Sequence, residues 1–145
     1  MPVLLFTVLG ALSLSIFSTW LVDHLLVARI SLAGSVIGFE RIMNDGIAFG
    51  IDLPSSLMAI LIPAVTVFVC FLAFRSRHDR WTSFSFGLII GGALGNIVDR
   101  LNDGHVTDFI QIGWWPLFNI ADSCITVGVL LLLLQELKTK KKEQQ

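Results

Sequence analysis

Four long apolar runs divide the chain, with polar or charged stretches between them. They cover Val3–Val22, Leu57–Phe74, Phe84–Val98 and Phe118–Leu134. A hydrocarbon layer about 30 Å thick takes roughly 20 apolar residues as a helix. The third run is short as drawn and extends toward Leu101. The runs are continuous, without the two-residue alternation of a membrane barrel strand. Helices then remain as the way to satisfy the backbone in lipid. The pattern predicts an all-α membrane protein, one integral domain over 1–145 with four transmembrane helices at 3–22, 57–74, 84–101 and 118–134.

The polar stretch between the first two runs is long, from Asp23 to Ser56. Ser35-Val-Ile-Gly-Phe39 leans toward strand, and Asn44-Asp45-Gly46 is a turn signal. A small outward-facing β segment between helices 1 and 2, resting on the bundle, is expected. The first run differs from a cleaved signal peptide: no Lys or Arg precedes it, its apolar stretch is too long and no A-x-A site closes it. It is expected to be retained.

Composition sharpens this picture. The chain of 145 residues is 54% hydrophobic and 14% charged, with a mean hydropathy of +0.80; soluble domains carry roughly 25% charged residues. A net charge of −1 argues against a nucleic-acid partner. The one dense basic run, Lys138-Thr-Lys-Lys-Lys142, reads as a topology anchor against anionic headgroups. With alternating spans, Arg75, Arg77, Arg80, Lys138, Lys140, Lys141 and Lys142 share one side, and Arg29, Arg41 and Arg100 share the other. The positive-inside rule then puts both termini in the cytoplasm. Cys70 and Cys124 form no C-x-x-C pattern and read as buried thiols.

Candidate chemistry gathers at the outer ends of the last two runs. Ionisable groups there are costly to place and mark functional sites. Asp99, Asp108 and Asp122 all fall near one side of the apolar layer. Two carboxylates held close in a dry setting do not both ionise easily, the arrangement that acid–base hydrolysis uses. Gly87, Gly91 and Gly95 recur every four residues, a spacing that lets helices approach closely in lipid. Asn96, Asp99 and Arg100 follow on one helical face. Asn119, Asp122 and Ser123 open the fourth run, where Asn119 also fits an N-cap and Asp122 a helix start. Capping leaves unexplained why Asn96, Asp99 and Asp108 meet on the same side. Trp114 and Trp115 mark the depth of the interface. His105 and Asp108, completed by Asp99 or Asp122, make only a weak metal pattern, so no metal and no cofactor is expected.

At these residues the chain resembles the lipoprotein signal peptidase, or signal peptidase II, family of bacterial aspartyl intramembrane proteases. The likeness rests on Asn44-Asp-Gly-Ile-Ala-Phe-Gly50, Gly95-Asn-Ile-Val-Asp-Arg100, Val106-Thr-Asp-Phe109 and Phe118-Asn-Ile-Ala-Asp-Ser123. The resemblance implies a catalytic dyad of Asp108 and Asp122. It implies substrate-binding or supporting roles for Asp23, Asn44, Gly46, Asn96, Asp99, Arg100 and Asn119. The implied substrate is a prolipoprotein bearing a diacylglyceryl-cysteine, cut just before that cysteine. The implied location is the bacterial cytoplasmic (inner) membrane, with the site near its outer face, lipids as partners and the chain as a monomer. One corner departs from the family pattern of Asp-Gln-x-x-Lys: here it reads Asp23-His24-Leu25-Leu26-Val27, with Arg29 expected to substitute in part for the Lys. That loss motivates an alternative, a non-catalytic relative that binds lipid or signal peptides. A proton-coupled transporter would spread carboxylates across the bilayer depth, unlike the one-sided cluster here.

Overall fold

The computed structural model describes residues 1–46, 55–75 and 79–143. The chain runs α1 (Pro2–Leu25), β1 (Ile30–Ala33), β2 (Ile37–Asn44), α2 (Ser55–Arg75), α3 (Arg80–Asp103), β3 (Val106–Ile112) and α4 (Ile120–Glu143). All four helices are long and apolar enough to cross a membrane. Ile47 to Gly50, Arg77 and His78 lie outside the described residues.

Most helix ends overrun the apolar windows, and at α3 both ends are set by caps rather than by hydropathy. α3 starts at Arg80 because the side chain of Asp79 accepts from Thr82 N at 2.7 Å. It stops where Gly104 takes a left-handed φ of 91° and donates its N–H back to Arg100 O. α4 runs on to Glu143, so the basic tail is helical, with Lys140 3.5 Å from Glu136 one turn earlier. At its other end Phe118 and Asn119 are left out of the helix and take other partners.

α3 is the centre of the bundle because its glycines let two helices reach its backbone. A Cβ on Gly87, Gly91 or Gly95 would lie 2.6 to 2.7 Å from Thr7, Ala11 and Ser15 of α1 in turn. The two series rise together, so α1 and α3 run parallel, small residue against small residue. On another face of α3, a Cβ on Gly92 would lie 2.5 Å from Ala121 O, and one on Gly128 of α4 would lie 2.7 Å from Ser85 O. That pair runs antiparallel. It is tied at its far end by Gln135, which accepts from Thr82 Oγ1 at 2.7 Å and donates to the buried Ser85 Oγ at 3.2 Å. Close packing and interhelical hydrogen bonds hold helices together where lipid removes any hydrophobic gain. α2 packs on α3 and touches the core chiefly through Val69, Cys70 and Ala73 near its own C-terminal end.

The β segment is a three-stranded antiparallel sheet in the order β1-β2-β3. The hairpin turn falls at Gly34–Val36, where Gly34 has φ 57°, and not at Asn44-Asp45-Gly46. The third strand comes from the connection between α3 and α4, so the sheet is not confined to the segment between helices 1 and 2. Paired residues share a face. Ile30, Phe39 and Ile110, Ile37 with Ile112, and Ile42 with Asp108 line one face. On the other, Arg29 donates to Gln111 Oε1 at 2.7 and 3.1 Å and lies against Gly38, where a Cβ would sit 3.4 Å from its guanidinium.

Candidate active site

The site forms where the sheet meets the end of the bundle. Ile110 and Phe118 form an antiparallel bridge, with Ile110 N donating to Phe118 O at 2.8 Å. This stitch ties the strand carrying Asp108 to the residues that open α4. Asp108, two residues before Ile110, and Asp122, four after Phe118, then line one cleft. No local pattern signals the stitch, because its partners meet only in the folded chain.

Asp122 is held by a closed ring of hydrogen bonds. Asn119 caps α4, accepting from Asp122 N at 2.9 Å, while its own N–H donates to Asp122 Oδ2 at 3.3 Å. This is the reciprocal capping arrangement. The Asn119 side chain also donates to Asn96 Oδ1 at 3.0 Å, and Asn96 Nδ2 donates to Asp122 Oδ1 at 2.8 Å. Capping and site assembly are therefore one structure. Asn119 is 2% exposed, so its amide has no water to fall back on.

Asp108 has a different setting. It is 3% exposed. Its Oδ2 accepts from Asn44 Nδ2 at 2.7 Å, whereas Oδ1 has no hydrogen-bond partner among the described residues. Asn44 is oriented by an Asx turn in which its Oδ1 accepts from Gly46 N at 2.9 Å. That turn ends β2 and aims the amide at Asp108, which is what the Asn44-Asp45-Gly46 signal encodes. Burial pushes the Asp108 carboxyl up to about 6; the Asn44 hydrogen bond opposes the rise, the Asp122 charge adds to it, Arg100 opposes it and Asp99 adds to it.

The remaining expected residues divide into two groups. Asn44, Gly46, Asn96 and Arg100 line the cleft with the two aspartates. Arg100 donates to Gly46 O at 2.9 Å, so it anchors the turn that holds Asn44. Asp23, Asp99 and Asn119 lie outside the cleft lining. Asp99 accepts from Thr107 N at 2.8 Å and fixes the start of β3. Asp23 accepts from Arg41 Nε at 2.7 Å and from Thr107 Oγ1 at 3.4 Å. Arg29 does not fill the corner left by the absent Lys: it is held on the sheet by Gln111, with Glu40 3.6 Å away. Arg41, which no motif flags, supplies the cation there.

His105 pairs with Asp45 rather than with Asp108, Asp99 or Asp122. No group of three or more His, Cys, Asp or Glu residues is placed to hold a metal ion among the described residues.

The cleft has a volume of about 790 Å³. Its polar end carries Asp108, Asp122, Asn44, Asn96 and Arg100; below them it is walled by Leu61, Ile62 and Val65 of α2, Ile89, Ile90 and Ala93 of α3 and Ile125 of α4. Trp115 and Phe118 border it beside the sheet. The arrangement sets two carboxyl groups in different hydrogen-bond environments at the head of an apolar channel, suited to proton transfer on a substrate whose flank is apolar.

Known proteins are similar to this chain in sequence and in fold. A family model described as signal peptidase (SPase) II matches residues 7–138. The lipoprotein signal peptidase of Caldicellulosiruptor bescii is 38% identical over 138 residues, covering 88% of this chain and 91% of that protein. That of Syntrophomonas wolfei is 42% identical over 106 residues, covering 72% and 70%. In fold, a bacterial membrane enzyme solved by the in meso method at 2.3 Å superposes with a TM-score of 0.88 at 23% identity, over 98% of this chain and 92% of that one. With four apolar helices and a family model matched along nearly all its length, this multi-pass membrane protein belongs to the signal peptidase II family.

Proposed function

We propose that the protein is an intramembrane aspartyl endopeptidase that removes signal peptides from diacylglyceryl-modified prolipoproteins, cutting before the lipidated cysteine. The observation that carries this reading is the pairing of Asp108 and Asp122 at the head of one apolar cleft, with an Asp108 oxygen left free of partners among the described residues. Family membership supports the substrate class, since the relatives are lipoprotein signal peptidases.

Unequal surroundings give the two carboxyls different tasks. Asp122, with both oxygens accepting N–H donors, serves as the carboxylate that takes a proton from water. Asp108, buried and favouring its protonated form up to about pH 6, gives its proton to the scissile carbonyl oxygen. Water oxygen bonds to the carbonyl carbon and a tetrahedral diol forms. The C–N bond then breaks as the leaving nitrogen takes the proton from Asp122 and a diol hydroxyl returns one to Asp108. One water is consumed, and both carboxyls end as they began.

The orientation follows the loop charges. Arg75, Arg80, Lys138 and Lys140 sit at the bundle end opposite the sheet, the cytoplasmic end by the positive-inside rule. The dyad then lies near the outer face, with both termini inside. Lipids are the surroundings and the chain acts as a monomer. The test is cleavage of a lipidated lipobox peptide by purified protein in lipid. Wild-type protein cuts it before the modified cysteine, and Asp108→Asn and Asp122→Asn do not. An unlipidated peptide tethered by its own signal helix is cut far more slowly; equal rates for both would leave only a general intramembrane protease.

A further inference from the structure

We infer that Arg41 is a positioning residue for the Asp108 carboxyl, acting through Asp23 and Thr107; the inference rests on the catalytic role proposed for Asp108. Arg41 lies on β2 inside the irregularity between Phe39 and Ile42, where the register with β3 shifts before Ile42 meets Asp108. Its Nε donates to Asp23 Oδ1 at 2.7 Å, and the same oxygen accepts from Thr107 Oγ1 at 3.4 Å. Thr107 is 2% exposed and directly precedes Asp108. Its backbone N–H is held from the other side by Asp99 Oδ2 at 2.8 Å. Thr107 is thus gripped by two carboxylates, one from α1 and one from α3, and those grips fix where β3 presents Asp108.

That grip depends on a cation. Asp23 sits in the last turn of α1, where unpaired carbonyls already make the helix end negative. Asp99 lies close enough to repel it. A carboxylate there needs a positive partner to stay turned toward Thr107. Arg29 is engaged by Gln111 and Arg100 by Gly46 O, which leaves Arg41 for the task. An isolated exposed ion pair contributes little, but this one joins β2, β3 and α1 at the residue next to the acid. The side chain reaches its partner through Nε and stands outside the cleft lining, so it acts by placement and not by touching substrate.

The test compares Arg41→Gln, Asp23→Asn and the double variant with wild type, in full-length protein reconstituted in lipid, on a diacylglyceryl-modified lipobox peptide. Misplacement of a reacting group by about 1 Å costs up to roughly a hundredfold in rate. Each single variant is expected to lose about ten- to a hundredfold in kcat with KM unchanged. The double variant falls no further, and Arg41→Lys recovers most of the loss. Amide hydrogen exchange rises over Val106–Phe109 while α3 stays protected. Arg29→Gln, held by Gln111 farther along the same sheet and away from Asp23 and Thr107, leaves kcat unchanged. Wild-type kcat in Arg41→Gln, a rise in KM alone, or Arg41→Lys no better than Arg41→Gln overturns the inference. If wild type does not cut the peptide, the proposed activity fails. The exchange comparison still decides whether Arg41 holds Thr107.

Discussion

The two sides of α3 are built on opposite principles. Toward α1 and the start of α4, backbone meets backbone across Gly87, Gly91, Gly95 and Gly92, with no room for one added carbon. Toward α2, the same helix presents Ile89, Ile90 and Ala93 to a cleft of about 790 Å³. The tight side carries Asp122 and its ring of amides; the sheet hangs Asp108 over the open side. Rigidity is spent on the carboxylate that needs fixed donors. The open side is walled by apolar residues of α2, α3 and α4.

The two sides are tested hardest by removing one carboxyl from each. Asp108→Asn and Asp122→Asn each reduce cleavage by about 10² to 10⁴, with helical content and insertion retained by circular dichroism and detergent extraction. Near-normal turnover in either would refute the dyad.

Adding bulk separates the two sides next. Gly92→Leu drives a side chain toward Ala121 O, 2.5 Å from the Cβ position, and displaces the start of α4. Overpacking of this kind costs about 1–3 kcal/mol or more. Thermal unfolding in lipid should move down and turnover should collapse. Val65→Leu on the open wall leaves the unfolding midpoint in place and changes KM by a few-fold.

Two asparagines sharpen the contrast. Asn119→Ala removes the cap and the Asn96 partner together, with a stability loss of about 1 kcal/mol and slower turnover. Asn44→Ala leaves the packed side intact but deletes the hydrogen bond that opposes the rise of the Asp108 carboxyl. Activity that needs protonated Asp108 falls as pH rises through about 6 in wild type. In Asn44→Ala that alkaline limb moves to higher pH. A shift to lower pH, or none, would count against Asp108 as the acid.

The smallest expected effect is on stability. A carboxyl whose folded pKa of about 6 exceeds its unfolded 3.8 binds its proton more tightly in the native state. Its contribution therefore improves as pH falls from about 6 toward 4 and is least favourable above 6. Asp108→Asn, always neutral, should melt higher than wild type near neutral pH, with the gap closing as pH approaches about 4. A gap that stays constant with pH would show that Asp108 is not held protonated by burial.

Much of this molecule is legible in the chain. Apolar runs of about 20 residues leave the backbone no state in lipid other than helix. Gly87, Gly91 and Gly95 announce close approach, and Asp108 and Asp122 stand out because a carboxylate at that depth is costly. Helix ends were less legible, since Asp79 and Gly104 cap α3 beyond its apolar window. The third strand was not legible at all: Val106–Ile112 becomes a strand only because β2 offers it a partner from 62 to 75 positions away along the chain (Asn44↔Val106, Ile37↔Ile112). The same holds for the bridge of Ile110 to Phe118, and for Arg41 reaching Asp23. Sequence determines what each segment can be, through length, hydropathy and small-residue spacing, because those preferences act locally. Which oxygen of which aspartate keeps a partner, and which arginine stands behind the strand, depends on contacts between distant residues. Only the assembled fold decides these.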